Sequence, residues 1–257
     1  MATDCRPFVL AETTWKNIKQ QDFEIAVLPW GATEAHNYHL PYGTDNIIGD
    51  GIGIDSCEKT WQKGAKALLL PTIPFGINTG QMDIKFCMNI NPSTQYAILK
   101  DTVTVLQNHG IKKFVILNAH GGNNFKSHIR ELSIDFPEVF TCCINWFTSV
   151  NPNDYFDDPG GHAGELETSM VLHYRPELVL PLSEAGDGIA KQFKLKGLKE
   201  GWVTAQRQWT KVTQDTGIGN PKQASAAKGK VYTEAVSDRI AEFLTELHNT
   251  AIEDLYE

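Results

Sequence analysis

The stretch WGATEAHNYHLPYGTDN, residues 30–46, holds Glu34, His36, His39 and Asp45 between Gly31, Pro41 and Gly43. Imidazoles and carboxylates are the side chains that bind divalent ions of zinc or manganese character. Glu34-x-His36 spacing puts both side chains on one face of an extended backbone, and the Pro/Gly turn beyond them can fold Asp45 back. Two further clusters carry the same chemistry. NAHGGNN, residues 118–124, places His120 just before Gly121 and Gly122, where backbone can approach closely. GGHAGELETSMVL, residues 160–172, offers His162, Glu165 and Glu167 at the entry to a predicted helix. Each cluster also has a plain structural explanation. Asp45 can cap the helix that follows it, and acids in a first turn suit the helix dipole. Local spacing leaves both explanations open.

These clusters need elements to position them. EIAVLPWG (24–31), AKALLLPTIPFG (65–76), KKFVILNAHGG (112–122) and VFTCCINWF (139–147) contain apolar runs of the kind that form strands buried on both faces. Helical patterns alternate with them: 46–61, then 93–110 with Ser93 as N-cap and Gly110 as stop, then 123–136. A long amphipathic stretch, 226–256, closes the chain. Alternating strands and helices predict an α/β fold with a mostly parallel sheet. Ligands in such sheets gather beyond the carboxyl ends of the strands. The first two polar clusters follow predicted strands and so fall on that rim.

Composition narrows the function classes. The 257 residues carry no low-complexity linker or internal repeat, so one domain spanning 1–257 is expected. A net charge of −8 argues against a nucleic-acid backbone as partner, because phosphate binding needs a basic face. The densest basic run, KQFKLKGLKEGW, reads as a solvated face. The N-terminal stretch lacks the pattern of a signal peptide, and no run of eighteen apolar residues predicts a membrane span. Five cysteines without a CxxC pair read as free thiols in a reducing cytoplasm. No G-x-S-x-G elbow is present, and Cys142 and Cys143 lie in an apolar strand, so a nucleophilic hydrolase is disfavoured. The glycines of GDGIGI (49–54) do not fit a nucleotide-binding spacing. His109, His128, His173 and His248 fall in or at the ends of predicted helices and read as packing or surface residues.

Taken together and in order, the blocks LPWGATEAHNYHLPYGTD, NAHGGN (118–123), HAGELETS (162–169) and TGIGNPKQASAAKG (216–229) resemble the creatininase (creatinine amidohydrolase) family. The resemblance implies a three-layer α/β/α fold, two divalent ions (Zn²⁺ and/or Mn²⁺, with Fe²⁺ also fitting) and a ring-shaped homohexamer. It implies that Glu34, His36, Asp45, His120 and Glu167 ligate metal, Asp45 bridging the two ions. His162 then serves as acid–base residue while a metal-bridging hydroxide attacks the C–N bond of a small, cyclic amide. His39, Asn118, Asn123 and Thr44 are candidates for orienting the ligands, or simply for shaping the loops. Where creatininase itself carries a Tyr-Glu pair after the metal-binding His, this chain has Gly121-Gly122, which points away from creatinine. Of that enzyme's two substrate-stacking tryptophans, Trp146 is the candidate for one wall, with Trp30 bordering the metal loop. Other branches imply a formamide deformylase or a small-peptide hydrolase. A small-molecule binding protein that kept the fold and lost the reaction is the non-catalytic alternative.

Overall fold

The structure is a computed structural model that describes residues 5–257; the first four residues of the N-terminal stretch lie outside it. Four parallel strands form one sheet in the order β2-β1-β3-β4, comprising β1 (Ile25–Trp30), β2 (Ala67–Leu69), β3 (Lys113–Asn118) and β4 (Phe140–Asn145). β1 and β3 are buried along their whole length, which accounts for their unbroken apolar runs. Alternation sorts their side chains between two cores. Ile25, Val27, Val115 and Leu117 face one, and Ala26, Leu28, Trp30, Phe114 and Ile116 the other.

Each core is closed by helices, giving three α/β/α layers. On one face lie α1 (Thr44–Gln62), α4 (Glu165–Tyr174) and α5 (Ala226–Asn249), which bury Ile48, Ile52, Met170, Tyr232, Val236 and Ile240. On the other lie α2 (Pro92–Asn108) and α3 (Lys126–Asp135), through Leu99, Val103, Leu106 and Leu132. No helix among the described residues is long and apolar enough to cross a membrane.

Several element ends differ from the sequence reading. β2 stops at Leu69 because Pro71 and Pro74 cannot donate to a ladder; only a bridge from Trp30 to Ile73 continues the pairing. Asn91, not Ser93, occupies the N-cap of α2, with Pro92 at the first helical position, and Gly110 follows the end of the helix with φ +73°. α3 starts at Lys126 because Asn124 Oδ1 accepts the Lys126 N–H at 3.1 Å. α5 ends at Asn249 rather than 256, and residues 252–254 form a separate turn. Asp45 does not cap α1: Gly43 is the N-cap, and Asp45 sits inside the first turn with its carboxylate free for other work.

Candidate metal centre

Trp30, Asn118 and Asn145 are in register at the carboxyl ends of β1, β3 and β4, so the segments that follow start from one rim. The segment after β1 carries Glu34 and His36, and that after β3 carries His120. Asp45 comes from the first turn of α1 and Glu167 from the first turn of α4. His162 precedes α4 and pairs with Ile218 in a short antiparallel bridge, so residues from the fourth sequence block brace it.

The six side chains converge. His120 Nδ1 lies 3.0 Å from both Glu34 Oε1 and Asp45 Oδ2. His36 Nε2 lies 3.2 Å from Asp45 Oδ1, 3.9 Å from Glu34 Oε1 and 4.0 Å from Glu167 Oε2. His162 Nδ1 is 3.8 Å from Glu34 Oε1, and its ring stacks on His36 with centroids 4.1 Å apart. Three interlocking sets result: Glu34–His36–His162, Glu34–Asp45–His120 and His36–Asp45–Glu167, each with donor atoms within 4.8 Å of one another. Glu34 and Asp45 each belong to two of the three sets, so the sets share carboxylates.

The outer nitrogens explain why the inner ones are available. His36 Nδ1 donates to the Glu34 carbonyl at 3.1 Å, His120 Nε2 to the Ile77 carbonyl at 3.1 Å and His162 Nε2 to the Ala35 carbonyl at 2.9 Å. A carbonyl can only accept, so in each neutral ring the inward nitrogen is left with its lone pair. That arrangement is common around ligating histidines. Asp45 Oδ2, though close to His120, is buried without a well-directed hydrogen bond. The donor set and its orphaned oxygen fit divalent cations.

Electrostatics agree. Burial works against charging the imidazoles, yet Asp45, Glu167 and Glu34 push His36 up to about 10. Against the same penalty, Glu34 and Asp45 raise His120 well above its ordinary value. Burial would raise the two acids, but His120 and His162 hold Glu34 below the usual carboxylate range, and His36 with His120 does so for Asp45. Without ions, the cluster draws protons to supply positive charge.

The remaining sequence candidates fall into three groups. Asn118 Oδ1 accepts the His120 N–H at 3.1 Å and the Asn123 amide at 3.1 Å, while Asn123 Oδ1 accepts Ile77 N–H at 3.1 Å; both amides therefore set the His120 loop. His39 Nε2 bonds Thr168 Oγ1 at 2.9 Å, tying the loop after β1 to α4, and burial together with nearby His36 lowers it to about 4. Thr44 bonds the Pro41 carbonyl at 2.8 Å and shapes the turn, and Glu165 pairs with Lys228 away from the cluster. Trp146 requires correction as a wall: it is buried in the apolar core against Phe147 and Tyr232. The turn that follows β4 folds its ring inward. Trp30 is also wholly buried, its Nε1 donating to the Phe75 carbonyl at 3.0 Å.

Two contributors have no sequence signal. Gln81 is buried and its amide donates to Glu34 Oε2, while its carbonyl accepts from Cys87 Sγ at 3.3 Å. Trp209 lies 4.7 Å, centroid to centroid, from the His162 ring, with the Arg207 guanidinium 5.0 Å from its own ring. Backbone strain collects here too. Asn37, Ala163 and Thr216 hold φ values of 53°, 51° and 65°. Thr216 Oγ1 accepts the Asn37 N–H at 2.9 Å, tying the loop of His36 to the segment whose Ile218 pairs with His162.

Parallel strands between helical layers define an α/β fold, and the buried carboxylate–imidazole cluster at the strand ends is a set of side chains that could hold metal ions. The creatininase (creatinine amidohydrolase) family model matches residues 11–244. The chain belongs to the creatininase family. A Bacteroides fragilis crystal structure, described as a candidate creatinine amidohydrolase, is 41% identical with a TM-score of 0.92, covering 98% of this chain and 99% of that one. A mycofactocin precursor peptide peptidase from Mycobacterium ulcerans is 26% identical over 89% of this chain and 85% of its own. A mutant creatininase described as Zn-Zn type shares the fold at a TM-score of 0.75 and 21% identity, covering 95% of this chain and 99% of that one.

Proposed function

We propose that this protein is a metal-dependent amidohydrolase that cleaves a C–N bond in a small amide, with two divalent ions held by Glu34, His36, Asp45, His120 and Glu167. The observation that carries this reading is the interlocking of the three donor sets through Glu34, His36 and Asp45. Three carboxylates against two dications leave one positive charge, a balance that favours an anionic nucleophile and a developing oxyanion. Bound there, such ions would acidify water and polarise the amide carbonyl. Zinc and manganese both accept this mixed nitrogen and oxygen set.

The chain's own residues manage the proton. His162 Nε2 is occupied by the Ala35 carbonyl, so Nδ1 is the atom that takes a proton and returns it to the departing nitrogen. Stacking on His36 keeps that ring upright beside Glu34. An acyclic amide, such as a formamide or short peptide, is the second reading. Similarity to a peptide peptidase over most of both chains favours it, as does the pair of small residues at Gly121-Gly122.

The test has two parts. Protein purified without chelator should contain about two equivalents of Zn, Mn or Fe per chain by plasma mass spectrometry, falling sharply in a Glu34→Ala, Asp45→Ala double variant. A screen of cyclic amides, formamides and dipeptides should then find turnover that His162→Ala abolishes while its metal content is retained. Protein that cannot be loaded with metal, or turnover unaffected in His162→Ala, would sink the proposal.

A further inference from the structure

The basic run read from the sequence as a solvated face belongs to a longer segment, 191–211. It holds five lysines and Arg207 against the single acid Glu200, in a chain whose net charge is −8. Glu200 pairs with Lys196, and among the described residues Arg207 has no carboxylate within ion-pair distance. The far end of this segment meets the site. There Trp209 stands beside His162, and Arg207 lies over the Trp209 ring.

The placement is built rather than incidental. Residues 206–209 press against the turn 79–81 that carries Gln81, the residue bonded to Glu34. A Cβ at Gly80 would meet the Arg207 carbonyl at 2.1 Å, so only glycine lets the two segments come this close. Thr210 Oγ1 fastens the same stretch to Asp83. The wall is thereby referenced to the cluster through Gln81 on one side and through His162 on the other.

We infer that Arg207 and Trp209 form the recognition wall of the site, selecting a planar amide that carries a carboxylate close to the scissile bond. The indole offers a flat apolar face beside the acid–base imidazole, against which an amide plane can lie. The guanidinium, exposed and without a protein carboxylate, can take a carboxylate through paired N–H donors. The lysines upstream add a positive field that draws anions to an otherwise acidic molecule. The inference rests on the amidohydrolase reading for the group held at the metal centre.

The test compares succinamate, an amide with a carboxylate, with uncharged succinamide. Calorimetric titration of zinc- or manganese-loaded protein measures both affinities in wild type, Arg207→Gln and Arg207→Lys. Wild type should prefer succinamate by on the order of tenfold, the effect of one charge-assisted contact at a half-open site. Arg207→Gln should bring the two ligands within about twofold, and Arg207→Lys should restore part of the preference. A preference that survives Arg207→Gln would mean the carboxylate goes to the metals or another cation, and overturns the inference. So would equal affinities in wild type, or no binding of either ligand at millimolar concentration. Preferential binding with no turnover of any amide would instead remove the hydrolase reading and leave the wall intact.

Discussion

Gly121 and Gly122 are adjacent, yet the structure gives them opposite tolerances. A Cβ at Gly121 would meet nothing within 4 Å. A Cβ at Gly122 would lie 2.4 Å from His120 Nε2 and 2.5 Å from the Ile77 carbonyl oxygen, the donor and acceptor of the bond that orients His120. Neither atom is the loose end of a long side chain, so Gly122→Ala must break that 3.1 Å hydrogen bond. The imidazole then turns, and Nδ1 leaves its position 3.0 Å from Glu34 and Asp45. Losing such an outer partner costs 10–100-fold in metal affinity, or about 1.4–2.8 kcal/mol. Competition against a chromophoric chelator, with circular dichroism to confirm folding, measures this directly. Gly121→Ala should match wild type. Metal affinity within twofold of wild type in Gly122→Ala, or an equal loss in Gly121→Ala, would refute the reasoning. The same contact explains why a glutamate placed at 122 would not simply add a ligand: its Cβ would displace His120 first.

Four further outcomes follow from the electrostatics and hydrogen bonding. In the metal-free protein His36 is held protonated up to about pH 10, against an unfolded value near 6.5. The stability it contributes is therefore complete below pH 6.5 and lost as pH rises through 10. Melting curves from pH 6 to 10 should show the metal-free protein weakening, whereas in the metal-loaded protein, with the imidazoles already neutral, that loss is absent; parallel curves would contradict this. Metal loading at pH 7 should correspondingly release about two protons, from His36 and His120, measurable by calorimetry in buffers of different ionisation enthalpy. Gln81→Met leaves Glu34 Oε2 buried without its amide partner and should cost the metal-free protein about 1–3 kcal/mol in urea denaturation. Asp215 accepts from Gly188 N–H at 2.9 Å, Gly217 N–H at 2.8 Å and Thr213 Oγ1 at 2.8 Å. Although burial opposes ionisation, these donors hold its carboxyl below the usual range, so its contribution is present above pH 3.8 and lost as pH falls below that. Asp215→Asn should cost about 3 kcal/mol at pH 7, a difference that shrinks in acid.

The sequence disclosed most where the chemistry is contiguous. Glu34, His36 and Asp45 lie on one short loop and the helical turn after it, and glycines mark the approach to His120. The strands β1 and β3 were legible because burial on both faces leaves unbroken apolar runs. What escaped depends on contacts between segments distant in the chain. Gln81 reaches Glu34 across 47 positions, and nothing about a glutamine in an irregular stretch advertises that reach. Trp209 meets His162 from a segment with no periodicity to place it. Trp146 misled for the converse reason. Its position just past β4 suggests the ligand rim, but position along a strand says nothing about where a following turn aims a large ring.

This division has a functional logic. The clustered carboxylates and imidazoles hang from segments after strand ends and from first helical turns, and backbone carbonyls fix the three imidazoles. Such a set tolerates little change, because each ring's outward bond depends on the course of a neighbouring loop. The proposed recognition wall lies instead on the exposed stretch 189–212, which holds only two four-residue helical turns. Substitution at Arg207 alters no bond to Glu34, Asp45 or their histidines, so substrate choice can change while the metal chemistry stays. Irregular segments on a rigid scaffold commonly carry specificity in this way. Conserving the ligand set while varying the wall would let one fold serve amides of different charge, and here the wall is cationic.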